Sequence, residues 1–369
     1  MSEKYETLKL VTDILESRFE ITTSEATNFL GIQIERDRER GQMHLCQSQY
    51  AIKILKRFNM FDANPVSTPF EKGTCLTSPT ESPSSTNYPY REAIGSLMFL
   101  TNVTRPDLSF SVNYLSRFLE KHARNHCEAL KRVMRYIKGT INHGIVYKRS
   151  NGGDKLLGFS DSDFAGDADT RRSTTGYIFM LASGPITWST QRQSSVALSS
   201  TEAEYVAAAA ATKEIIWLRK LMQDLGFHDA KPTTLHVDNM SAIQLIRNPV
   251  FHKKTKHIEV KHHFVREKFQ SGVVEIQHVP SESQLADILT KALPRVQHQN
   301  LCNAIGVHKF LGGCDITKKR LRHNQENIEL LVCRYSTIGS ELQSRRRDTR
   351  LSLVFILILR ERMILRYER

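Results

Sequence analysis

The sequence predicts an α/β domain between Leu156 and Leu293, with one mixed sheet of about five strands and helices on both faces. Three observations predict it. Segments 155–161, 174–182 and 185–190 read as strands joined by short turns, an antiparallel meander. Segment 202–225 carries apolar residues at helical spacing and stops at Gly226. Beyond it, strand and helix patterns alternate over 233–238, 241–247, 257–270, 273–279 and 282–292, the signature of crossovers that add strands to a sheet.

Upstream, residues 3–20 predict an amphipathic helix with Leu8, Val11, Ile14 and Leu15 on one face. Residues 28–36 and 42–46 predict a hairpin around a turn at 38–41. Residues 47–58 predict a helix, with Tyr50, Ile54 and Leu55 inside and Lys53, Lys56 and Arg57 outside. Pro, Ser and Thr dominate 64–90, the clearest linker in the chain. Helices follow over 90–104, 106–119 and 125–138; the second begins with Pro106 in its first turn, and the third ends at Gly139. The third carries Lys131, Arg132, Arg135 and Lys138, which suit either a phosphate backbone or a solvated face. Past residue 294 the periodicity fades, and 320–369 is rich in arginine.

Composition narrows the function. The 369 residues are 40% hydrophobic and 25% charged, enough to bury real cores, and the net charge of +13 points to a polyanionic partner, most simply nucleic acid. The six cysteines form no C-x-x-C pair, so zinc is not expected and a reducing compartment fits. The N-terminus lacks the apolar core of a signal peptide. The apolar run 353–359 is far below the roughly 20 residues that span a bilayer. No membrane segment is expected.

Four acidic residues sit where chemistry could use them. Leu157, Phe159, Asp161 and Asp163 alternate onto one strand face, so an acid ends a buried face. In the long helix, Glu204 starts the stripe continued by Ala208, Ala211, Ile215 and Leu218; Glu202, two residues back, lies roughly 200° around the helix. The spacing therefore selects Glu204 over Glu202. Asp238 ends the strand Leu235-His236-Val237, and Asp287 lies in the first half of the last expected helix. Carboxylates brought together need positive charge between them, and hard oxygen donors suit magnesium or manganese. Singly, each acid could be a surface charge or a helix cap. Four at element ends, in this order, favour a metal site.

The segments GFSDSDFAGD, RRSTTGYIFML, ITWSTQRQSSVALSSTEAEY, KEIIWLRKLM, VDNMSAIQLIRNPVFHKKTKHIEVKHHFVRE and SQLADILTKAL resemble the ribonuclease H domain of copia-type LTR retrotransposon Pol polyproteins. The resemblance implies a ribonuclease H-like fold. It assigns Asp161, Glu204, Asp238 and Asp287 as catalytic carboxylates binding two Mg2+ or Mn2+ ions, with Asp163 as runner-up to Asp161. FLGIQIERD, LCQSQYAIKILKRFNM, YREAIGSLMFLTNVTRPDLSFSVNYLSRF and ALKRVMRYIKGT resemble the end of the family's reverse transcriptase and its connection. The implied organisation is a truncated reverse-transcriptase end with part of the thumb (1–70), a linker (71–89), a helical connection (90–150), the ribonuclease H domain (151–307) and a basic tail (308–369).

The family's polymerase carries an aromatic-x-Asp-Asp strand before the FLGI segment; no Asp-Asp pair occurs here, so DNA synthesis is not expected. The implied reaction is hydrolysis of the RNA strand of an RNA–DNA hybrid, with the missing reverse-transcriptase portion of a longer parent as a further partner. The alternative is an inert nucleic-acid-binding remnant of a decayed element. The implied setting is cytoplasmic, inside a virus-like particle for the parent element, with the nucleus as alternative. Lys253, Lys254, Lys256, Lys261 and Arg266, in the basic run 251–268, are the candidate phosphate contacts. Each could also belong to a solvated face. The product-release histidine of many ribonucleases H is not carried over to His278, which ends a strand. Trp188 and Trp217 are expected in the core.

Overall fold

Short alternating segments joined by tight turns dictate a fold of brief strands. The computed structural model describes residues 13–19, 27–79, 88–149, 155–227, 230–248 and 259–310, with the backbone alone over 259–263. The expected helix at 3–20 is described only at 13–19, where 13–18 is helical. Of the basic tail, residues 308–310 are described, and 311–369, with the run 353–359, lie outside the described residues. Residues 1–30 and 312–369 cluster as one unit and 31–311 as another. The second unit holds all four acidic residues.

Its strands are β1 (Ile32–Asp37), β2 (Gln42–Cys46), β3 (His143–Lys148), β4 (Leu157–Asp163), β5 (Thr174–Leu181), β6 (Gly184–Arg192), β7 (Thr233–Val237), β8 (Val274–His278) and β9 (Val307–Lys309). Its α-helices are α1 (Ser48–Arg57), α2 (Tyr90–Thr101), α3 (Ser109–Ser116), α4 (Arg124–Gly139), α5 (Ser200–Asp224), α6 (Met240–Arg247), α7 (Glu259–Gln270) and α8 (Arg295–Ala304). No helix among the described residues is long and apolar enough to cross a membrane.

The hairpin β1–β2 forms as expected, and Gly41 takes the left-handed conformation that its turn needs (φ +59°). Two strands were not expected. β3 pairs with β2 on one side and with β9 on the other, all antiparallel. β3 is a short β-branched and aromatic run, Ile145-Val146-Tyr147, fully covered. Helices α1 to α4 share a core that includes Leu55, Ile94, Leu97, Leu115 and Leu130. Pro106 opens a 3-10 turn, Pro106–Leu108, that leads into α3.

The second sheet has the order β6-β5-β4-β7-β8. β4, β5 and β6 run antiparallel, while β7 joins β4 in parallel and β8 joins β7 in parallel. This is the expected mixed sheet of five strands. Both faces carry helices, as pairing parity shows. Phe179 stands opposite Thr187, whose hydroxyl donates to Glu214 of α5 at 2.9 Å. Ile178 stands opposite Trp188, on the other face, and the Trp188 indole donates to the Thr101 carbonyl of α2 at 2.8 Å. The upstream helices thus cover the face that α5 does not. Trp188 is buried, as expected, whereas Trp217 is only half-buried.

The expected helix at 282–292 is corrected. The backbone makes two 3-10 turns there, Ser281–Ser283 and Leu285–Leu289, and α8 begins only after Pro294. Gln284 explains the break. Its side chain is buried, donates to Ser160 O of β4 at 3.0 Å and accepts from Ala286 N at 3.2 Å, which holds its own backbone extended. The turn lies flat on β5 because Gly176 is bare: a Cβ there would stand 2.6 Å from Thr290 Cγ2 and 2.9 Å from Leu289 Cβ.

A buried ion pair fixes the upstream half. Arg105 grips Asp107 through Nε–Oδ1 at 2.9 Å and Nη2–Oδ2 at 2.8 Å, and its Nη1 donates to Thr140 O at 3.0 Å. Tyr136 donates to Asp107 Oδ2 at 2.8 Å. Burial works against the Asp107 charge, yet Arg105 holds its carboxyl below the ordinary value. Asp107→Ala strands the Arg105 charge and should destabilise the fold by about 3–5 kcal/mol. Urea unfolding of the variant, with its midpoint lowered at unchanged slope, is the check.

Candidate active site

Strand pairing places the first two acids. Phe159 of β4 stands level with His236 of parallel β7, so the chain two residues on brings Asp161 beside Asp238. Asp161 keeps the face of Phe159. The Ser281 hydroxyl donates to Asp238 Oδ2 at 3.0 Å.

Helix capping places the third. Ser199 caps α5, its Oγ accepting from Glu202 N at 3.1 Å. The Glu202 side chain turns back to accept from Leu198 N at 2.8 Å, so it belongs to the cap. Gln193, past the end of β6, donates to Ala203 O at 3.0 Å and ties down the first turn. Glu204 then faces inward, and its Oε1 accepts from Ser162 N at 3.1 Å. The helix phase read from the sequence places these two glutamates as they stand.

One oxygen from each of Asp161, Glu204 and Asp238 lies within 4.8 Å of the other two. Asp161 is 2% exposed and Glu204 5%. Burial, and then the Asp161 and Asp238 charges, push the Glu204 carboxyl up to about 9. Its Oε2 is buried without a hydrogen-bond partner. Burial also raises Asp161, against the pull of Lys291 and of the Thr290 hydroxyl that donates to Asp161 Oδ2.

Asp287 stands beside this group rather than inside it. It is buried on the 3-10 turn, and Lys291 sits between it and Asp161, with Nζ 2.9 Å from Asp287 Oδ1 and 3.7 Å from Asp161 Oδ2. Burial and the Asp161 charge push Asp287 up to about 7. Asp163 is engaged elsewhere: its Oδ1 accepts from Thr174 N at the start of β5, and burial pushes it up to about 6.

Of the basic run, Lys253, Lys254, Lys256 and the side chain of Lys261 lie outside the described residues. Arg266 is turned into the protein, where its Nη2 donates to Leu245 O at 2.9 Å and ties α7 to α6. His278 is exposed at the end of β8. Thr290, Lys291, Ser281 and Gln284 were not singled out in the sequence. Only Lys291, four residues after Asp287, carries a local signal, the spacing of an acid–base pair.

No protein-family model matches the chain. Among curated proteins it is similar to the retrovirus-related Pol polyprotein from transposon RE1 of Arabidopsis thaliana, 43% identical over 304 residues, covering 80% of this chain and 20% of that protein. It is also similar to the retrovirus-related Pol polyprotein from transposon TNT 1-94 of Nicotiana tabacum, 39% identical over 290 residues, covering 77% of this chain and 22% of that protein. Among solved structures, LC11-RNase H1 in complex with RNA/DNA hybrid is 15% identical with a TM-score of 0.29, covering 37% of this chain and 94% of that one. A foamy viral protease-reverse transcriptase bound to double-stranded DNA is 15% identical with a TM-score of 0.43, covering 75% and 43%. The mixed five-stranded sheet with helices on both faces is the architecture the resemblance led us to expect. The chain spans about a fifth of the length of the curated relatives it matches first, and it belongs to the family of retrovirus-related Pol polyproteins of copia-type transposons.

Proposed function

We propose that this chain is a ribonuclease H that hydrolyses the RNA strand of RNA–DNA hybrids with two Mg2+ or Mn2+ ions. The observation that carries the reading is the convergence of Asp161, Glu204 and Asp238 around a buried, unpartnered Glu204 Oε2. An all-oxygen set with one oxygen lacking a donor fits a hard divalent cation. Asp161, Glu204 and Asp238 would hold one ion, and Asp161 with Asp287 would share in the second. When bound, such ions supply positive charge, an activated water and stabilisation of the leaving oxygen.

The protein's own groups prepare the site. The Ser162 amide orients Glu204, the Ser281 hydroxyl orients Asp238, and the Thr290 hydroxyl with the Lys291 ammonium orients Asp161. Duplex shape, phosphates and 2′-hydroxyls, rather than base sequence, would select the hybrid. The basic run 251–268 would supply the phosphate contacts.

A labelled hybrid tests the chemistry. Wild-type protein should cleave its RNA strand in magnesium, and Glu204→Gln and Asp238→Asn should fall to background while still binding the hybrid. Glu202→Gln should keep cleavage and lose at most about 1 kcal/mol of stability through its cap. Asp287→Asn should hurt less than Asp238→Asn and recover in part with manganese. Binding without cleavage by wild-type protein would identify an inert remnant. A folded Asp238→Asn that loses binding and cleavage together would make the carboxylates structural and end the nuclease reading.

Stability against pH tests the electrostatics without turnover. The folded state holds the Glu204 proton up to about pH 9, while an ordinary glutamate loses it near 4.5. The stability from this proton is full below 4.5 and falls away as pH rises toward 9. Thermal melts of metal-free protein should drop over that window, Glu204→Gln should flatten the drop, and magnesium should raise the wild-type melting point most at its alkaline end.

Hybrid affinity against salt tests the binding surface. A Lys256→Glu/Lys261→Glu variant, with two fewer cations for phosphate, should lower the slope of log K against log salt by roughly 2. Its circular dichroism and its magnesium-dependent melting should match the wild type. An unchanged slope would remove the basic run from the interface.

A further inference from the structure

We propose that Glu35, His44 and Cys46 form a zinc site on the β1–β2 hairpin, independent of the carboxylate cluster. The hairpin register brings the three together. Glu35 pairs directly with His44, and Cys46 lies two residues along β2 on the same face. One ligand atom from each lies within 4.8 Å of the other two.

The donors are held by long contacts: Cys46 Sγ lies 3.9 Å from Gln33 Oε1, and His44 Nδ1 lies 3.6 Å from Glu35 Oε2. The His44 side chain is 3% exposed, and neither ring nitrogen has a hydrogen-bond partner. Burial disfavours charge on the ring, but Cys46 and Glu35 beside it push the imidazole up to about 9, so the three groups already attract one another. The 3.6 Å from Nδ1 to Glu35 Oε2 is too far for a good hydrogen bond. That separation suits two ligands of one tetrahedral zinc. Bonds of about 2.0–2.2 Å to nitrogen and oxygen put such ligands roughly 3.3–3.6 Å apart.

The surroundings are shaped for the group. The ring stacks on Phe310, with centroids 5.3 Å apart, which fixes its plane. Gly144 of β3 leaves the room: a Cβ there would stand 2.7 Å from His44 Nε2 and 2.7 Å from Cys46 Cβ. Nε2 therefore faces the strand and Nδ1 the carboxylate. The Ser48 hydroxyl donates to Cys46 Sγ at 3.4 Å, a support for the thiolate. Glu35 is 45% exposed, so water has access to a fourth position. One sulfur, one nitrogen and one oxygen favour zinc over magnesium, whereas Asp161, Glu204 and Asp238 offer no sulfur. Zinc here would clip β1 to β2 beside their junction with β3.

Cobalt titration of the metal-free full chain tests the site. Co2+ should bind with one thiolate-to-metal charge-transfer band per chain, and Zn2+ should displace it. Cys46→Ser should abolish the band, while Cys75→Ser, at an exposed cysteine, should keep it. Glu35→Gln touches an exposed side chain and should fold; zinc competition at the band should show its affinity down at least tenfold. This variant decides the matter if Cys46→Ser does not fold. No band in wild-type protein, a band surviving in Cys46→Ser, or unchanged zinc affinity in Glu35→Gln would each overturn the proposal.

Discussion

Three carboxylates share a volume about 4.8 Å across at the end of β4, and the rest of the sheet is arranged around tolerating them. Two unit charges 4 Å apart repel by roughly 4 kcal/mol at an effective dielectric near 20. The chain meets this in two ways. It keeps Glu204 protonated near neutral pH, and it places the Lys291 ammonium beside Asp161 and Asp287. Glu204 Oε2 stays buried without a hydrogen-bond partner. Burial and charge crowded in this way raise the carboxyls they involve.

The parallel junction of β4 with β7 makes that crowding possible. Antiparallel strands would carry their ends apart, whereas parallel neighbours deliver Asp161 and Asp238 side by side. The other groups arrive by tethers across the sheet: Gln193 to the start of α5, and Gln284 to Ser160. The upstream helices serve the same end. Trp188 bonds to α2, and Asn113 of α3 donates to Thr190 O at 2.9 Å. Arg117 bridges to Asp167 at 3.0 Å, where Arg192 also binds at 3.1 Å. These bonds cross position 150, the boundary expected from sequence. The helices before it wall one face of the sheet after it.

Much of this was legible in the chain. Alternation through Leu157, Phe159 and Asp161 gave β4 its faces, and the stripe from Glu204 to Leu218 gave α5 its phase. Both are local periodicities with one buried side, so the sequence carries them directly. What was not legible depends on distant partners. β3 is held by β2 and by β9, some 160 residues further on, and nothing local announces β9. The 285–289 segment has a helical pattern, but one buried glutamine with a partner in β4 overrides it. Thr290 became visible only once that turn had placed it against Asp161, and Lys291 offered in the chain only its spacing from Asp287.

The same override separates the fourth carboxylate from the other three. Asp161 lies in β4 just past its pairing with β7, Asp238 directly follows β7, and Glu204 is fixed by a capped helix and the Ser162 amide. Asp287 instead rides on a 3-10 turn, whose hydrogen bonds are poorer than those of a helix. Its own cation, Lys291, also touches Asp161. The Lys291 charge is therefore shared between the two carboxylates. Three of the carboxylates stand on or beside regular elements and the fourth on a turn, and that division follows from Gln284 having bonded to Ser160 rather than letting its backbone coil.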